Sequence, residues 1–202
     1  MRDRILIATT NKGKADDFSA IFDSANIDVV TLLDIPDAPD IEETGSTFAE
    51  NAILKAETMC KLLRIPVIAD DSGLCVAALG GIPNIYSARY AGPDKSDDAN
   101  MKKLAQAMKD EGVKSSVAYY QSAVAMAFPD GETVVAEGKM FGIVRTERKG
   151  TGGFGYDQMF YTPAFGDNVT FAELPQSVRS KVSHRAIAIG NLGRKVREIK
   201  TK

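Results

Sequence analysis

The chain contains no tryptophan, one histidine and two cysteines in 202 residues. A single imidazole excludes a multi-histidine zinc site, and Cys60 and Cys75 are not spaced as a metal-binding pair. They read as buried free thiols in a reducing compartment, Cys60 in a predicted helix and Cys75 after an Asp-Asp turn. Any catalytic metal must then be held by oxygen, which points to magnesium or manganese. An excess of charge is missing too. Lys and Arg number 25 against 27 Asp and Glu, a net charge of −2, so nothing in the charge favours a nucleic-acid partner. The cations Arg194, Lys195, Arg197, Lys200 and Lys202 fall near the end of a helix and read as partners of its dipole. No apolar run approaches a membrane span and no signal-peptide core opens the chain. A cytoplasmic protein without membrane contact is therefore expected.

What is present is ordinary globular material. Apolar residues make up 44%, and residues 1–202 suit one medium domain or two tightly joined lobes with a real core. No repeat or low-complexity tract interrupts it. Ile5 to Ala8 read as a strand, followed by the turn Thr9-Thr10-Asn11-Lys12-Gly13-Lys14 and a helix with Phe18, Ile21 and Phe22 on one face. Asp34 to Gly45 is an acidic, proline-containing loop. Thr47 and Glu50 form a capping-box signature, and Ala52, Ile53, Ala56, Met59, Cys60 and Leu63 continue a helical apolar face. Val67 to Ala69 read as a buried strand closed by Asp70-Asp71. Ser96 to Lys109 is helical in pattern. Val117–Phe128 and Thr133–Val144 read as strands around a Pro129-Asp130-Gly131 turn, and a third strand lies near Met159-Phe160-Tyr161. A last helix starts near Ser183 with Ile189, Leu192, Val196 and Ile199 on one side. Helices mixed with at least one hairpin predict an α/β fold with a mixed sheet.

Four stretches carry chemistry. Asp70-Asp71 places two carboxylates side by side, which repel unless a cation or a proton intervenes; a solvated Asx turn is the plain alternative. Thr9 to Lys14 joins a strand to a helix through Gly-Lys, putting backbone N–H groups and an ammonium where a phosphate could sit. It is no Walker A loop, since the early glycine is missing and Ala15 follows the lysine. Lys55 lies one turn after Asn51 on the capped helix, where a surface lysine is the default. Glu43 just precedes that helix and is a candidate metal ligand beside Asp70 or Asp71. Gly153-Phe154-Gly155-Tyr156-Asp157 offers close backbone approach, an aromatic platform and a polar end, or else a surface loop with Phe154 in the core. Ser183-His184-Arg185 gathers a hydroxyl, an imidazole and a guanidinium at a helix start, without the Gly-x-Ser-x-Gly elbow of a serine hydrolase.

Taken in order, these blocks resemble the inosine triphosphate pyrophosphatase family. The resemblance is carried by Thr9 to Lys14, by Glu43 to Ala56 with its Thr47-Phe48-Ala49-Glu50-Asn51-Ala52 core, by Ala69 to Leu74, by Tyr86-Ser87-Ala88-Arg89-Tyr90-Ala91-Gly92, and by Gly152 to Asp157 with Ser183-His184-Arg185. It implies an elongated, two-lobed fold with a central mixed sheet flanked by helices, a cleft between the lobes as active site, and a homodimer. It also implies hydrolysis of ITP, dITP and XTP between the α- and β-phosphates, which cleanses the nucleotide pool.

The residue roles follow by resemblance. Asp71 is the catalytic base, and Glu43 and Asp71 hold Mg²⁺, with Mn²⁺ as substitute and Asp70 left open as a further ligand. Thr9, Thr10, Asn11, Lys12, Gly13, Lys14, Lys55 and Ser72 bind substrate. So do Phe154, Gly155, Tyr156, Asp157, Arg179, His184 and Arg185, with Phe154 stacking on the base and Arg185 or His184 reading its 6-oxo group. Asn84 stands where the family usually has glycine, Gln158 where it has proline, Ala77 where an acid is common, and Arg179 where it has lysine. A Maf-like pyrophosphatase and a silent nucleotide-binding module are the competing readings.

Overall fold

A computed structural model describes residues 3–23, 25–39 and 41–200. The described residues form six strands and five α-helices, which alternate up to the fourth strand; the fifth and sixth strands then follow directly before the last two helices. The strands are β1 (Asp3–Ile7), β2 (Ile27–Thr31), β3 (Val67–Val76), β4 (Ser115–Ala127), β5 (Val134–Arg145) and β6 (Phe160–Tyr161). The helices are α1 (Lys12–Asp23), α2 (Phe48–Leu63), α3 (Asp97–Asp110), α4 (Gln176–Val182) and α5 (His184–Lys200). All strands join one sheet in the order β2-β1-β3-β4-β5-β6. β1 pairs in parallel with β2 and β3, whereas β5 and β6 are antiparallel, so the sheet is mixed as expected.

The chain divides into two compact units. The first takes the segment up to Asp71, Ser122–Gly138 and everything from Ser180 on; the second takes Ser72–Gln121 and Lys139–Arg179. The first unit is built on Ile7, Phe18, Phe22, Ile68, Val124, Val134, Ala136, Ala188 and Leu192, which form one buried cluster. Phe18 and Phe22, one turn apart on α1, stack with centroids 6.2 Å apart. Gly138 lets α5 lie against β5, because a Cβ there would overlap the His184 carbonyl and the Ala188 amide. In the second unit Leu74, Val76, Leu104, Met108, Met159 and Phe160 are fully enclosed.

Several local expectations change. The strand read over Val67–Ala69 does not stop at the aspartates. It runs on to Val76, and all of it except Ser72 is buried. No turn separates Asp71 from Cys75, which lies within the strand. Gly73 permits the continuation, since a Cβ there would overlap Asn84 O and Ser87 Oγ. The expected Gly-Lys turn is instead the first turn of α1: Asn11 caps it, its Oδ1 accepting Lys14 N–H at 3.0 Å. The capping box at Thr47 extends to Ser46: bonds from Ser46 first, and from the Thr47 backbone after it, lower the Glu50 carboxyl. Thr47 Oγ1 accepts Glu50 N–H, and the Glu50 carboxylate accepts the amide and hydroxyl of Ser46. β2 and α4 carry too weak a periodicity to read from the sequence. Ile199 is 55% exposed and leaves the apolar face of α5, because the last turn outruns the core. The expected loop from Asp34 to Gly45 is present; Asp40 within it and Lys202 of the basic tail lie outside the described residues. Asn84 adopts φ 53°, a left-handed conformation that asparagine tolerates better than most residues and that glycine accepts freely. Cys60 and Cys75 are free and buried, as expected.

Candidate active site

The first unit gathers its charged side chains around the middle of β3. Adjacent strand residues point to opposite faces, so Asp70 and Asp71 do not share one environment, and this resolves the repulsion the sequence raised. Asp70 Oδ2 is 2.8 Å from Lys14 Nζ and 3.5 Å from Arg185 Nη2, and its Oδ1 accepts the Ser122 hydroxyl at 2.5 Å. Burial by itself would raise the Asp70 carboxyl. Arg185, Lys14 and the Ser122 bond outweigh it and hold the group well below the carboxylate range. Asp70 is therefore an anion enclosed by partners.

Asp71 is different. Its Oδ2 accepts Asn51 Nδ2 at 2.9 Å. Burial is the largest influence and raises its carboxyl, Glu43 adds to this, and Lys14, Lys55 and the Asn51 bond pull only part of the way back. A carboxylate of raised basicity with lysines nearby suits proton abstraction.

The two lysines come from different helices and meet on one atom. Lys14 of α1 donates to the Asp70 carbonyl oxygen at 3.5 Å, and Lys55 of α2 donates to the same oxygen at 2.8 Å. Lys55 also pairs with Glu43 Oε1 at 2.6 Å. Among the described residues no group of three or more His, Cys, Asp or Glu side chains forms a metal cluster. Glu43 and Asp71 are the acidic pair at hand, and an oxygen donor pair completed by phosphate and water is what magnesium accepts.

Thr9 Oγ1 accepts Asn11 N–H at 3.2 Å and shapes the turn into α1. Thr10, Asn11 and Lys12 are exposed, and Lys12 spends its ammonium on Asp16 one turn on. Ser183 Oγ caps α5 through Ala186 N–H at 3.1 Å. His184 follows it, fully enclosed; burial first, then Arg185 and Lys14, depress its pKa well below the usual histidine value, so the ring is neutral at pH 7. Arg185, expected to read a base, is itself completely buried. Its Nη1 lies 2.5 Å from Asp17 Oδ2 and its guanidinium stacks over Phe18 at 5.7 Å.

The second unit holds Ser72, the Phe154–Asp157 loop and Arg179. Gly153 and Gly155 take φ 73° and 63°, conformations natural to glycine. Asp157 anchors the loop from inside: its Oδ2 accepts Phe154 N–H at 3.1 Å and its Oδ1 accepts the Tyr120 hydroxyl at 3.0 Å. Burial, then the Asp157 charge, push the Tyr120 phenol well up, so it remains a donor. Asp97 Oδ2 takes Gly155 N–H at 2.7 Å, and Tyr156 is buried with its hydroxyl donating to Ser87 O at 2.7 Å. Tyr156, not Phe154, is the core aromatic; Phe154 is only half-buried. Arg179 bonds to Gln176 on α4 and packs against Gly152, while Ser72 is half-buried on β3.

Lys14, Lys55, Glu43, Asp70 and Asp71 lie together in the first unit, where Asp17 and Ser122 support Arg185 and Asp70. Tyr120 and Asp97 brace the glycine loop of the second unit, and none of these four supports stood out in the sequence. For Asp17, Ser122 and Tyr120 the only signal was polarity at positions that the helix and strand periods turn inward, and Asp97 is an exposed acid in the first turn of α3.

A mixed six-stranded α/β sheet with two lysines and two acids gathered at its central strand defines a protein suited to handling phosphate. The chain belongs to the Ham1 family, whose model matches residues 5–195. This agrees with the resemblance carried by the five sequence blocks. It is 48% identical over 195 residues to the dITP/XTP pyrophosphatase of Geobacillus kaustophilus (strain HTA426), covering 96% of this chain and 95% of that protein. Among solved structures, the Staphylococcus aureus Ham1 protein superposes with a TM-score of 0.81 at 42% identity, and a HAM1 protein from Coxiella burnetii with 0.83 at 33%. Each alignment covers 97% of this chain and 99% of the other.

Proposed function

We propose that this protein hydrolyses deaminated purine nucleoside triphosphates, ITP, dITP and XTP, to the monophosphate and pyrophosphate, and so cleanses the nucleotide pool. The convergence of Lys14 and Lys55 on the Asp70 carbonyl, beside Asp71 and Glu43, carries this reading. A triphosphate brings close to four negative charges, and the two ammoniums and the amides at the start of α1 are there to meet them. Asp71 orients water and takes its proton as the α–β anhydride opens; pyrophosphate leaves with the bond electrons. Glu43 and Asp71 would hold Mg²⁺, or Mn²⁺ in its place. That ion would neutralise phosphate charge and acidify bound water. Asp70 is assigned no ligand role, because Ser122, Lys14 and Arg185 occupy its carboxylate.

Phe154 is assigned to stack on the purine, with Asp157 fixing its loop. Arg185, with neutral His184, is the proposed reader of the 6-oxo group, a role in which the enclosed guanidinium exchanges a contact with Asp17 or Asp70 for one with the base. A donor aimed there accepts inosine and meets the amino group of adenosine donor to donor, which can discriminate by about 10⁴. The protein is proposed to act in the cytoplasm as a homodimer.

Pyrophosphate release from ITP, XTP, dITP, GTP and ATP, each with and without Mg²⁺, tests the reading. Fast metal-dependent release from ITP, dITP and XTP alone is expected. Orthophosphate as the first product, or tight binding without turnover, would overturn it, the latter in favour of a silent binding module.

A further inference from the structure

We infer that Asn51 is a positioning residue that holds Asp71 in register with the segment carrying Glu43; the inference rests on the metal and base roles proposed for those two acids. Asn51 occupies the fourth position of α2 and is completely buried. It does not cap the helix. Thr47 Oγ1 does that, and Asn51 N–H already bonds to Thr47 O at 3.2 Å within the helix. Helix propensity favours alanine over asparagine at an enclosed interior position, so the amide must answer to something outside the helix.

What it answers to is on either side of it. Asn51 Oδ1 accepts Gly45 N–H at 2.8 Å, and Asn51 Nδ2 donates to Asp71 Oδ2 at 2.9 Å. The orientation of the amide follows from chemistry. A backbone N–H can only donate, so the oxygen must face Gly45, and the nitrogen then faces the carboxylate, which can only accept when ionised. Gly45 makes this approach possible, because a Cβ on it would sit 2.7 Å from both Asn51 Oδ1 and Glu50 Cβ.

One planar amide therefore bridges the backbone two residues after Glu43 to the carboxylate of Asp71. By taking Oδ2, it fixes the direction in which Oδ1 of Asp71 faces. Partners of this kind behind a ligating carboxylate typically carry 10–100-fold in metal affinity or activity.

The test combines Mn²⁺ binding to the whole protein, followed by electron paramagnetic resonance without nucleotide, with steady-state hydrolysis of ITP. Asn51→Ala should weaken Mn²⁺ binding and lower kcat, each by about 10–100-fold, with the KM for ITP within about threefold of wild type. Asn51→Asp keeps the side-chain volume and the acceptor for Gly45 and replaces the permanent donor to Asp71 by a second carboxyl, which repels Asp71 when ionised. It should lose at least about tenfold in kcat, and it carries the test if the alanine variant does not fold. A purely structural asparagine predicts a lower melting temperature with Mn²⁺ affinity and kcat unchanged in Asn51→Ala, or full kcat in Asn51→Asp, and either result overturns the inference. Asp71→Asn is measured alongside. If that variant turns over normally, the base assignment itself has failed; if it is inactive while the Asn51 variants are normal, only the positioning role falls.

Discussion

Replacing Arg185 by methionine should lower the melting temperature by about 6–12 °C, and the structure shows why the loss is of that size. The Arg185 side chain is 1% exposed, and it faces two carboxylates, Asp17 at 2.5 Å and Asp70 at 3.5 Å. Breaking a buried pair by removing one partner costs about 3–5 kcal/mol, because the other charge stays behind in a dry site. Two features put this case at the lower end. Asp17 is 15% exposed and can recover some hydration, and Asp70, although fully enclosed, keeps Lys14 and Ser122. Methionine fills most of the space of the arginine stem, so little cavity is added. About 3 kcal/mol then remains, and a chain of this length loses about 2–4 °C for each.

Thermal unfolding followed by circular dichroism at pH 7.5, in 0.1 M and 1 M NaCl, measures it. The deficit should persist in high salt, since buried pairs are poorly screened. It should also depend on pH in one direction. Asp70 has a depressed folded pKa, so the stability it contributes is complete above the unfolded value near about 3.9 and is lost as pH falls through the folded value. The gap between wild type and variant should be flat from about pH 5.5 to 8 and narrow below about pH 4. A deficit under about 2 °C, or one abolished by salt, would refute the reasoning.

Asp71→Asn should keep the fold and lose at least about a hundredfold in kcat for ITP, read by pyrophosphate release; near-normal turnover would remove Asp71 from the base role. Arg185→Lys, which retains the charge, should narrow the ITP-to-ATP preference, and an unchanged ratio would mean that another donor reads position 6. Gly138→Ala should destabilise by about 1–3 kcal/mol, because the added methyl meets the backbone of α5 at His184 and Ala188; an unshifted denaturant midpoint would contradict that packing. Tyr120→Phe takes from Asp157 a bond of the charged kind, about 1.5–3 kcal/mol, and should raise the KM for ITP by about tenfold or more with kcat nearly constant. An unchanged KM would show that Phe154 N–H alone secures the loop.

The sequence by itself determined the elements with strong periods and caps: α2 behind Thr47, α3 behind Ser96, the long strands β4 and β5, and the mixed character of the sheet. It also determined which residue types are available for chemistry, because one histidine and an even charge balance leave lysines and carboxylates as the material. These are local properties, set by spacing and side-chain chemistry within a few residues.

Tertiary structure decided the rest. Asp70 and Asp71 read as a matched pair, yet continuation of β3 to Val76 turns them to opposite faces, one enclosed by Arg185, Lys14 and Ser122 and the other held by Asn51. Lys14 and Lys55 lie 41 positions apart, and only the packing of α1 and α2 around β3 brings both ammoniums to one carbonyl oxygen. Asp17 and Ser122 carry no local signal because their partners lie far along the chain, and for Asn51 only its place in a polar cluster at the start of α2 was legible, not its bond to Asp71. A buried polar side chain takes its meaning from whatever satisfies it, and distant partners leave no trace in local sequence.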